Sequence, residues 1–262
     1  MSQFFIKIFL TSILTGIVCG IVSVWVVLLN IPFISVTMSH AAFAGAIFGV
    51  LSNINPLFSS VIFCLIASIL LGPIAERAEF SVNISTSVIF SFVLGIAFIL
   101  AGLIKGSKAE VLSYIWGNIL NVSWNSVLFL AIVLFIIVLF TILFYKEILA
   151  VLFNREIAKS VGIYEKFIFL SLIFLCGITV AVTLNYIGGL LIFGLITLPG
   201  LSSYQLTYDL NKMYVVSVVF AVLSSLVGLL TSYFLNLPIA ATTIVISNII
   251  FIFCVLLSPK KL

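Results

Sequence analysis

Phe129-Leu-Ala-Ile-Val-Leu-Phe-Ile-Ile-Val-Leu-Phe-Thr-Ile-Leu-Phe144 is a run without a charged residue, and Thr141 is its only polar side chain. The strands of a membrane β-barrel alternate polar and apolar residues, because one face of each strand borders the lumen. This run is apolar on every face, so it does not fit such a strand. A helix is the other structure that satisfies its own backbone hydrogen bonds in hydrocarbon. The run therefore predicts a transmembrane α-helix.

The composition extends this prediction to the whole chain. The 262 residues are 64% apolar and 7% charged, whereas a soluble domain carries about 25% charged residues. The mean hydropathy is +1.47. So little polar surface cannot cover a globule in water, which excludes a soluble enzyme, a nucleic-acid-binding protein and a disordered chain. We expect an all-α, polytopic transmembrane bundle in which residues 1–262 form one domain within the lipid bilayer.

Nine apolar stretches follow one another, separated by Asn, Pro and charged residues. Their approximate bounds are 4–29, 36–52, 57–72, 84–104, 125–145, 167–184, 186–206, 214–234 and 238–257. The stretches 36–52 and 57–72 are short for a hydrocarbon layer of about 30 Å, so one of them is a candidate for a broken or re-entrant helix. The sequence therefore predicts eight or nine spans.

The distribution of the Lys and Arg residues predicts the orientation. With nine spans, one side of the membrane holds Arg77, Lys146, Arg155, Lys159, Lys166, Lys212, Lys260 and Lys261. The other side holds Lys7, Lys105 and Lys108. Cytoplasmic loops carry the excess of basic residues, so we expect the 146–166 loop and the C-terminus in the cytoplasm.

The sequence contains few residues that could catalyse a reaction. The sequence has no phosphate-binding GxxxxGK[ST] loop, and its single histidine, His40, has no carboxylate nearby in an apolar context. We therefore expect no enzymatic activity of the chain itself, and no ATP hydrolysis by it alone. Apart from His40, no ionisable residue lies deep in a predicted span, although transporters that run on protons usually need such relays. If the chain transports a solute, we expect the energy to enter through another subunit.

The longest charged loop, at 145–162, predicts a short helix over about 155–161. Asn154 is a good N-cap residue, Glu156 lies in the first turn, and Gly162 can end the helix. Apolar residues recur here every four positions and predict one stripe beside a charged face. They are Leu149, Phe153, Ile157 and Val161. Such a surface fits either the groove of a partner protein or the surface of the lipid.

His40 precedes a helix rich in small residues. Ala41, Gly45 and Gly49 form a face that allows another helix to approach closely. A neutral imidazole is a common ligand of zinc and other transition metals. A lone histidine is more often a hydrogen-bonded structural residue, and the sequence leaves both interpretations open.

A second unusual stretch runs from 185 to 200. Gly188, Gly189 and Gly194 permit close packing, and Pro199 removes the hydrogen bond to the carbonyl of Leu195 and kinks the helix. A kinked, glycine-rich span is a candidate for lining a pore, although structural spans contain the same features. We expect nearby hydroxyl groups to satisfy the backbone groups that the kink frees. These belong to Thr197, Ser202 and Ser203.

Together these stretches resemble the membrane permease subunit of bacterial and archaeal ABC importers of zinc, manganese and iron. The resemblance covers about residues 4–257. The segments that carry it are Ser39-His-Ala-Ala42, Tyr114-Ile-Trp-Gly-Asn-Ile-Leu120, Phe144-Tyr-Lys-Glu-Ile-Leu-Ala150, Phe153-Asn-Arg-Glu-Ile-Ala158 with Gly162, the 188–199 stretch, and Leu237-Pro238. The segment around 144–162 is the most specific of these.

The resemblance implies a pore formed by two copies of this chain in the cell membrane of a prokaryote. Cytoplasmic ABC ATPase subunits would bind below, and an extracytoplasmic metal-binding protein would deliver a divalent metal ion from above. The ion is cargo, and no permanently bound cofactor is implied. The 146–162 loop would transmit the motion of the ATPase to the pore. Its contact residues would be Leu149, Phe153, Asn154, Glu156, Ile157 and Gly162.

One position departs from the family pattern. The family usually has an acidic residue four positions before the histidine, and here that position is Val36. Thr37 and Ser39 offer only weak oxygen ligands beside His40. The loss of a carboxylate favours a metal chelate as an alternative cargo. A third alternative is a membrane scaffold or sensor without a transport role.

Overall fold

The computed structural model describes residues 2–77, 82–104 and 122–260. The predicted family motif at 114–120 and the lysines at 105 and 108 lie outside these ranges. Within them the chain forms eleven α-helices and no β-strand. The helices are α1 Ser2–Leu28, α2 Phe33–Ser52, α3 Pro56–Arg77, α4 Val82–Leu103, α5 Trp124–Leu143, α6 Tyr145–Phe153, α7 Arg155–Ser160, α8 Glu165–Ile187, α9 Gly189–Leu206, α10 Leu210–Leu235 and α11 Ile239–Leu256.

Each of the nine apolar stretches coincides with one long helix, and the all-α prediction is confirmed for the described residues. Seven of these helices are long and apolar enough to cross a membrane. The apolar part of α3, Pro56–Leu71, is shorter, and α9 contains Pro199. The two remaining helices, α6 and α7, are short and lie between α5 and α8.

Hydrogen bonds between distant residues join the loop after α1 to the starts of α4, α6 and α10 at one end of the bundle. This end also carries Lys146, Arg155, Lys159 and Lys212, so we name it the basic pole. The joining hydrogen bonds run from Asn83 Nδ2 to the Asn30 carbonyl (3.1 Å), from Tyr145 OH to Asn211 Oδ1 (2.9 Å), and from Trp25 Nε1 to Tyr214 OH (2.7 Å).

The opposite pole holds the start of α1. There the ring of Phe5 contacts the ring of Tyr233 near the end of α10, with centroids 6.1 Å apart. The ammonium group of Lys7 lies 5.5 Å from the centroid of the Trp124 ring, at the start of α5. Successive long helices therefore alternate in direction between the two poles.

Small residues bring the central helices together. A Cβ atom placed on Gly16 of α1 would lie 2.7 Å from the Cα of Val222 on α10. One placed on Gly20 would lie 2.6 Å from the Cα of Val218 on the same helix. Ser217 of α10 donates a hydrogen bond to the Gly20 carbonyl at 2.7 Å. Lipid gives helices no hydrophobic reason to associate, so close backbone contact and hydrogen bonds stabilise such a pair instead.

Helix α2 uses its predicted small-residue face in the same way. A Cβ on Gly45 would lie 2.7 Å from the Ser59 carbonyl oxygen, and one on Gly49 would lie 2.8 Å from the Cα of Pro56. This face therefore packs directly on α3, as the spacing of the small residues predicts. Helices α1, α2 and α8 are largely buried, whereas α4, α5, α10 and α11 form the periphery.

Candidate functional site

His40 lies in the second turn of α2, and its side chain is half-buried. The Nδ1 atom is 2.9 Å from the Val36 carbonyl oxygen, one turn earlier in the helix. A carbonyl only accepts hydrogen bonds, so in the neutral ring this contact places the proton on Nδ1 and leaves the lone pair on Nε2. The ring packs edge-to-face on Phe90 of α4, with centroids 5.0 Å apart. In this tautomer Nε2 is available to bind a metal ion.

Thr37 and Ser39, the other candidate ligands, are fully buried. The Thr37 hydroxyl donates to the carbonyls of Phe33 (3.2 Å) and Thr86 (3.3 Å), and the Ser39 hydroxyl donates to Ser35 (2.8 Å). A helix turns about 100° per residue, so Ser39 does not share the face of His40, whereas the hydroxyl of Thr37 is engaged by the two carbonyls. The structure does not bring these two hydroxyl groups to the imidazole.

No cluster of three or more His, Cys, Asp or Glu side chains that could hold a metal occurs in the part of the chain that the structure describes. Val36, at the position usually acidic in the family, lies on the same face as His40, one turn away. It is half-buried and offers only its carbonyl, which already accepts from Nδ1. Within α2, which the structure describes in full, His40 is the one ionisable side chain.

The sequence analysis missed a polar stripe on α4. Asn83, Ser87 and Ser91 are exposed and four residues apart, so they share one helix face. The Ser87 hydroxyl donates to the Asn83 carbonyl (3.0 Å), and the Ser91 hydroxyl donates to the Ser87 carbonyl (3.2 Å). On the helix surface Phe90 lies between this stripe and His40. The four-residue spacing can be read from the sequence, but it does not stand out among the apolar residues of this stretch.

The loop at the basic pole contains the predicted short helix, here α7. The side-chain oxygen of Asn154 accepts hydrogen bonds from the N–H groups of Glu156 (2.9 Å) and Ile157 (3.2 Å). The helix ends at Gly162, whose φ is +84°. The N–H of Gly162 donates to the Lys159 carbonyl, and the next N–H, of Ile163, donates to the Ala158 carbonyl. This pair of hydrogen bonds is a Schellman motif, so both predicted caps are confirmed.

The four residues of the predicted apolar stripe are exposed but do not lie on one helix. Asn154 has extended backbone angles (φ −163°, ψ 119°) and separates α6 from α7. An N-cap residue lies outside its helix, so capping α7 requires this break. The stripe is formed by Leu149 and Phe153 on α6, by Ile157 on α7, and by Val161 after it. Their exposed fractions are 43%, 81%, 51% and 68%.

A groove of about 270 Å³ lies beside Leu149 and Phe153. The ammonium group of Lys260 closes one side of it, 3.7 Å from the centroid of the Tyr204 ring and 4.3 Å from that of Tyr208. It also donates a hydrogen bond to the Tyr204 carbonyl. Burial lowers the pKa of Lys260 from its usual range. The exposed apolar surface thus continues from α6 to the ends of α9 and α11.

Helix α9 contains Pro199, at which the sequence predicts a kink. The helix begins after Gly188, whose φ is +88°, and Gly189 is its first residue. Gly194 lies in close contact with Ile244 of α11, where an added Cβ would be 2.9 Å from a side-chain carbon. Pro199 lies inside the helix and is buried. Gly194 thus packs α9 against α11, and the kink and a role in lining a pore stay predictions.

A residue of α1 binds the backbone around Pro199. The Ser23 hydroxyl accepts a hydrogen bond from the N–H of Gly200 (2.7 Å) and donates one to the Thr197 carbonyl (3.2 Å). Ser202 and Ser203 donate to the carbonyls of Leu198 and Gly200, and not to the Leu195 carbonyl that Pro199 frees. Ser23 was not among the residues expected here, because it is 177 positions from Gly200 along the chain.

Comparisons with known proteins extend these observations. The sequence matches the model of the ABC 3 transport family over residues 1–258. It is 26% identical over 259 residues to the manganese transport system membrane protein MntC of Listeria monocytogenes, covering 99% of this chain and 92% of that protein. It is 23% identical over 250 residues to the high-affinity zinc uptake system membrane protein ZnuB of Haemophilus influenzae, covering 94% and 96%.

The fold is shared with a solved structure. PsaBC from Streptococcus pneumoniae, in complex with Fab, superposes with a TM-score of 0.88 at 23% sequence identity, covering 98% of this chain and 92% of that one. The family match spans nearly the whole chain and confirms the resemblance that the sequence motifs indicate. The chain belongs to the ABC 3 transport family.

Proposed function

We propose that this chain is the pore-forming permease subunit of an ATP-driven importer of divalent transition-metal ions such as zinc or manganese. The observation that carries the proposal is the match to the ABC 3 transport family over residues 1–258. Two relatives that align over more than nine-tenths of this chain are named as membrane proteins of manganese and zinc uptake. The metal ion is cargo, and we propose no resident cofactor.

The proposed orientation places the basic pole in the cytoplasm of a prokaryotic cell. The nine long helices alternate in direction between the poles, which supports nine crossings with the N-terminus outside and the C-terminus inside. Lys146, Lys159 and Lys212 lie at the basic pole, whereas Lys7 is the described basic residue at the other. An excess of Lys and Arg on the cytoplasmic side supports this assignment.

The proposed partner at the basic pole is the ABC ATPase, which binds the stripe of Leu149, Phe153, Ile157 and Val161. Four exposed apolar side chains in a charged loop are unfavourable in water, so burial against a partner stabilises them. The caps Asn154 and Gly162 hold the loop in shape without the partner. Glu156 lies in the first turn of α7 and adds a charge beside the stripe.

The second proposed partner is another copy of this chain, packed against α4. Ser87 and Ser91 are exposed within the apolar helix α4, Asn83 continues their stripe to the basic pole, and polar side chains inside a membrane mostly face protein or water. A two-fold axis beside α4 would bring this stripe and His40 of both copies to one ion path. An extracytoplasmic metal-binding protein would deliver the ion at the opposite pole.

We propose that His40 is a transient ligand on this path. A neutral imidazole favours borderline metals such as zinc, whereas manganese favours carboxylate oxygens. Because Val36 supplies no carboxylate, binding at this position should be weak and should favour zinc. The same observation supports a second candidate, the import of a metal chelate whose other ligands travel with the metal.

The decisive experiment is reconstitution of the chain in liposomes with its ATPase subunit, followed by uptake of radioactive zinc or manganese. We expect uptake that requires ATP and stops when the phosphate-loop lysine of the ATPase is replaced. Uptake of a pre-formed chelate but not of the free ions would support the second candidate. Uptake that is indifferent to ATP would contradict both.

A further inference from the structure

A buried carboxylate lies where the loop of the basic pole enters the bundle. Glu165 is the first residue of α8, and only 7% of it is exposed. The partial positive charge of a helix N-terminus favours an acid there, but a buried charge still needs a close partner. This residue has no part in the metal path or in the exposed stripe.

The partner is Arg155, the first residue of α7. Its Nε and one terminal nitrogen donate hydrogen bonds to Oε2 of Glu165, at 2.9 Å and 2.7 Å. The guanidinium carbon lies 3.8 Å from the ring centroid of Phe169, one turn further along α8. Two hydrogen bonds and a stacked ring fix the direction of the arginine as well as its position. This is the one salt bridge among the described residues.

Helix α7 depends on this contact for its position. It has only six residues, which is too short to be stable alone. Among the described helices it contacts mainly α6 and α8. The extended residue Asn154 separates it from α6. The methyl group of Ala158 is buried in the apolar core, and the Arg155–Glu165 pair adds a polar attachment to a long helix.

Helix α8 in turn contacts the helix that carries His40. A Cβ on Gly177 would lie 2.9 Å from Cys64 Cβ and 3.3 Å from Met38 Sδ, so α8 packs tightly on α3 and α2. Met38 is two residues before His40. Close packing of this kind transmits displacement, because neither helix has space to yield.

We propose that the Arg155–Glu165 pair is the joint through which a displacement of α7 by the ATPase moves α8 and the ion path. Arg155 and Glu165 are then positioning residues, which touch neither the ion nor ATP. The inference rests on the proposed function, since it assigns a role within the coupling of ATP hydrolysis to transport. A buried ion pair adds little net stability, but its geometry is specific. This suits a contact that transmits motion between helices better than one that only stabilises the fold.

The test measures metal ions imported per ATP hydrolysed by the full complex in liposomes. In Arg155→Gln and Glu165→Gln we expect this ratio to fall about tenfold while ATP hydrolysis stays within about twofold of wild type, a loss within the usual range of coupling between sites. Arg155→Lys keeps the charge but loses the paired hydrogen bonds and the stacking, so we expect an intermediate ratio.

Two further variants separate a joint from a structural contact. The double exchange Arg155→Glu with Glu165→Arg restores the ion pair but not the contact with Phe169 or the acid at the start of α8, so we expect it to recover part of the ratio that the single variants lose. Lys212→Gln removes an exposed charge at the same pole, on α10, and should leave the ratio unchanged.

The outcomes are distinct. An unchanged ratio in the single variants, or an equal fall in transport and ATP hydrolysis, would overturn the inference. Loss of complex assembly that the double exchange does not repair would assign the pair to folding and also overturn it. If the wild-type complex shows no ATP-dependent uptake, the proposed function fails, and it fails independently of these variants.

Discussion

At the scale of single residues, His40 combines a fixed ring orientation with a half-buried position. Its Nδ1 atom is engaged by the Val36 carbonyl and its ring is packed on Phe90, so Nε2 is oriented by the helix itself. We expect His40→Ala to lower metal uptake by about tenfold, the loss typical of a disturbed metal ligand shell. Val36→Ala, on the same face, is the matched control and should keep uptake. Full uptake by His40→Ala, at equal amounts of protein in the membrane, would contradict the assignment of His40.

The position one turn before His40 gives a second prediction. Val36→Asp places a carboxylate on the same helix face, and carboxylate oxygens are ligands that manganese prefers. We expect the preference between zinc and manganese to move toward manganese, measured by competition between the two ions. Val36→Asn, which has a similar shape without the charge, should move it much less. An unaltered preference in Val36→Asp would separate this face from the metal.

At the scale of helices, α6 and α7 expose an apolar stripe that folding does not need. We expect Phe153→Asp and Ile157→Asp to abolish co-purification with the ATPase, because an acidic group cannot enter an apolar interface without a large desolvation cost. Both side chains are exposed, so the thermal stability of the purified chain should hardly change. Leu152→Asp, next to Phe153 but buried, should instead destabilise the chain. Retained co-purification in both stripe variants would contradict docking at this surface.

Helix α9 gives a prediction about stability. An added Cβ on Gly200 would lie 2.5 Å from the backbone oxygen of Ser23, and a backbone atom cannot yield as a flexible side chain can. We expect Gly200→Ala to lower the free energy of unfolding by about 1–3 kcal/mol, as overpacking does. Gly102→Ala on α4 is the control, since nothing lies within 4 Å of its added Cβ. Equal melting temperatures for the two variants in detergent would contradict the close approach of α9 to α1.

At the scale of the whole molecule, the alternation of the helices predicts which residues face each side of the membrane. The four cysteines at 19, 64, 176 and 254 are buried, so they give little background reactivity with a thiol reagent. In intact cells, an impermeant reagent should label a cysteine introduced at Lys7 and should leave one introduced at Lys212 unlabelled. Labelling at Lys212 from outside would reverse the proposed orientation.

The nine long helices could be predicted from the sequence because apolar runs and polar breaks are local signals. The caps of α7 could be predicted for the same reason, since Asn154 and Gly162 act on their immediate neighbours. The contact of Ser23 with Gly200 could not be predicted, because it depends on how α1 and α9 cross. The pair of Arg155 and Glu165 was also missed, since the two residues are ten positions apart and the path of the turn between them is not specified by the sequence.

The candidate site divides in the same way. His40 stands out because it is the single histidine in an apolar chain, so its chemistry is visible without a structure. The hydroxyl groups of Thr37 and Ser39 donate hydrogen bonds to backbone carbonyls. These hydrogen bonds turn the two hydroxyl groups away from His40, which the sequence does not show. The break at Asn154 changes a stripe on one helix into a surface shared by two, because one residue cannot both cap α7 and continue α6.

The seam between α1 and α10 has a consequence for the order of synthesis. Gly16 and Gly20 on α1 meet residues about two hundred positions later, and Ser225 donates to the carbonyl of Ser12 across 213 positions. Helix α1 is synthesised first, so the surface around Gly16 and Gly20 stays without its partner helix until nearly all of the chain has left the ribosome. A nascent chain that stops before Leu210 keeps this surface open to lipid, to insertion chaperones and to membrane proteases.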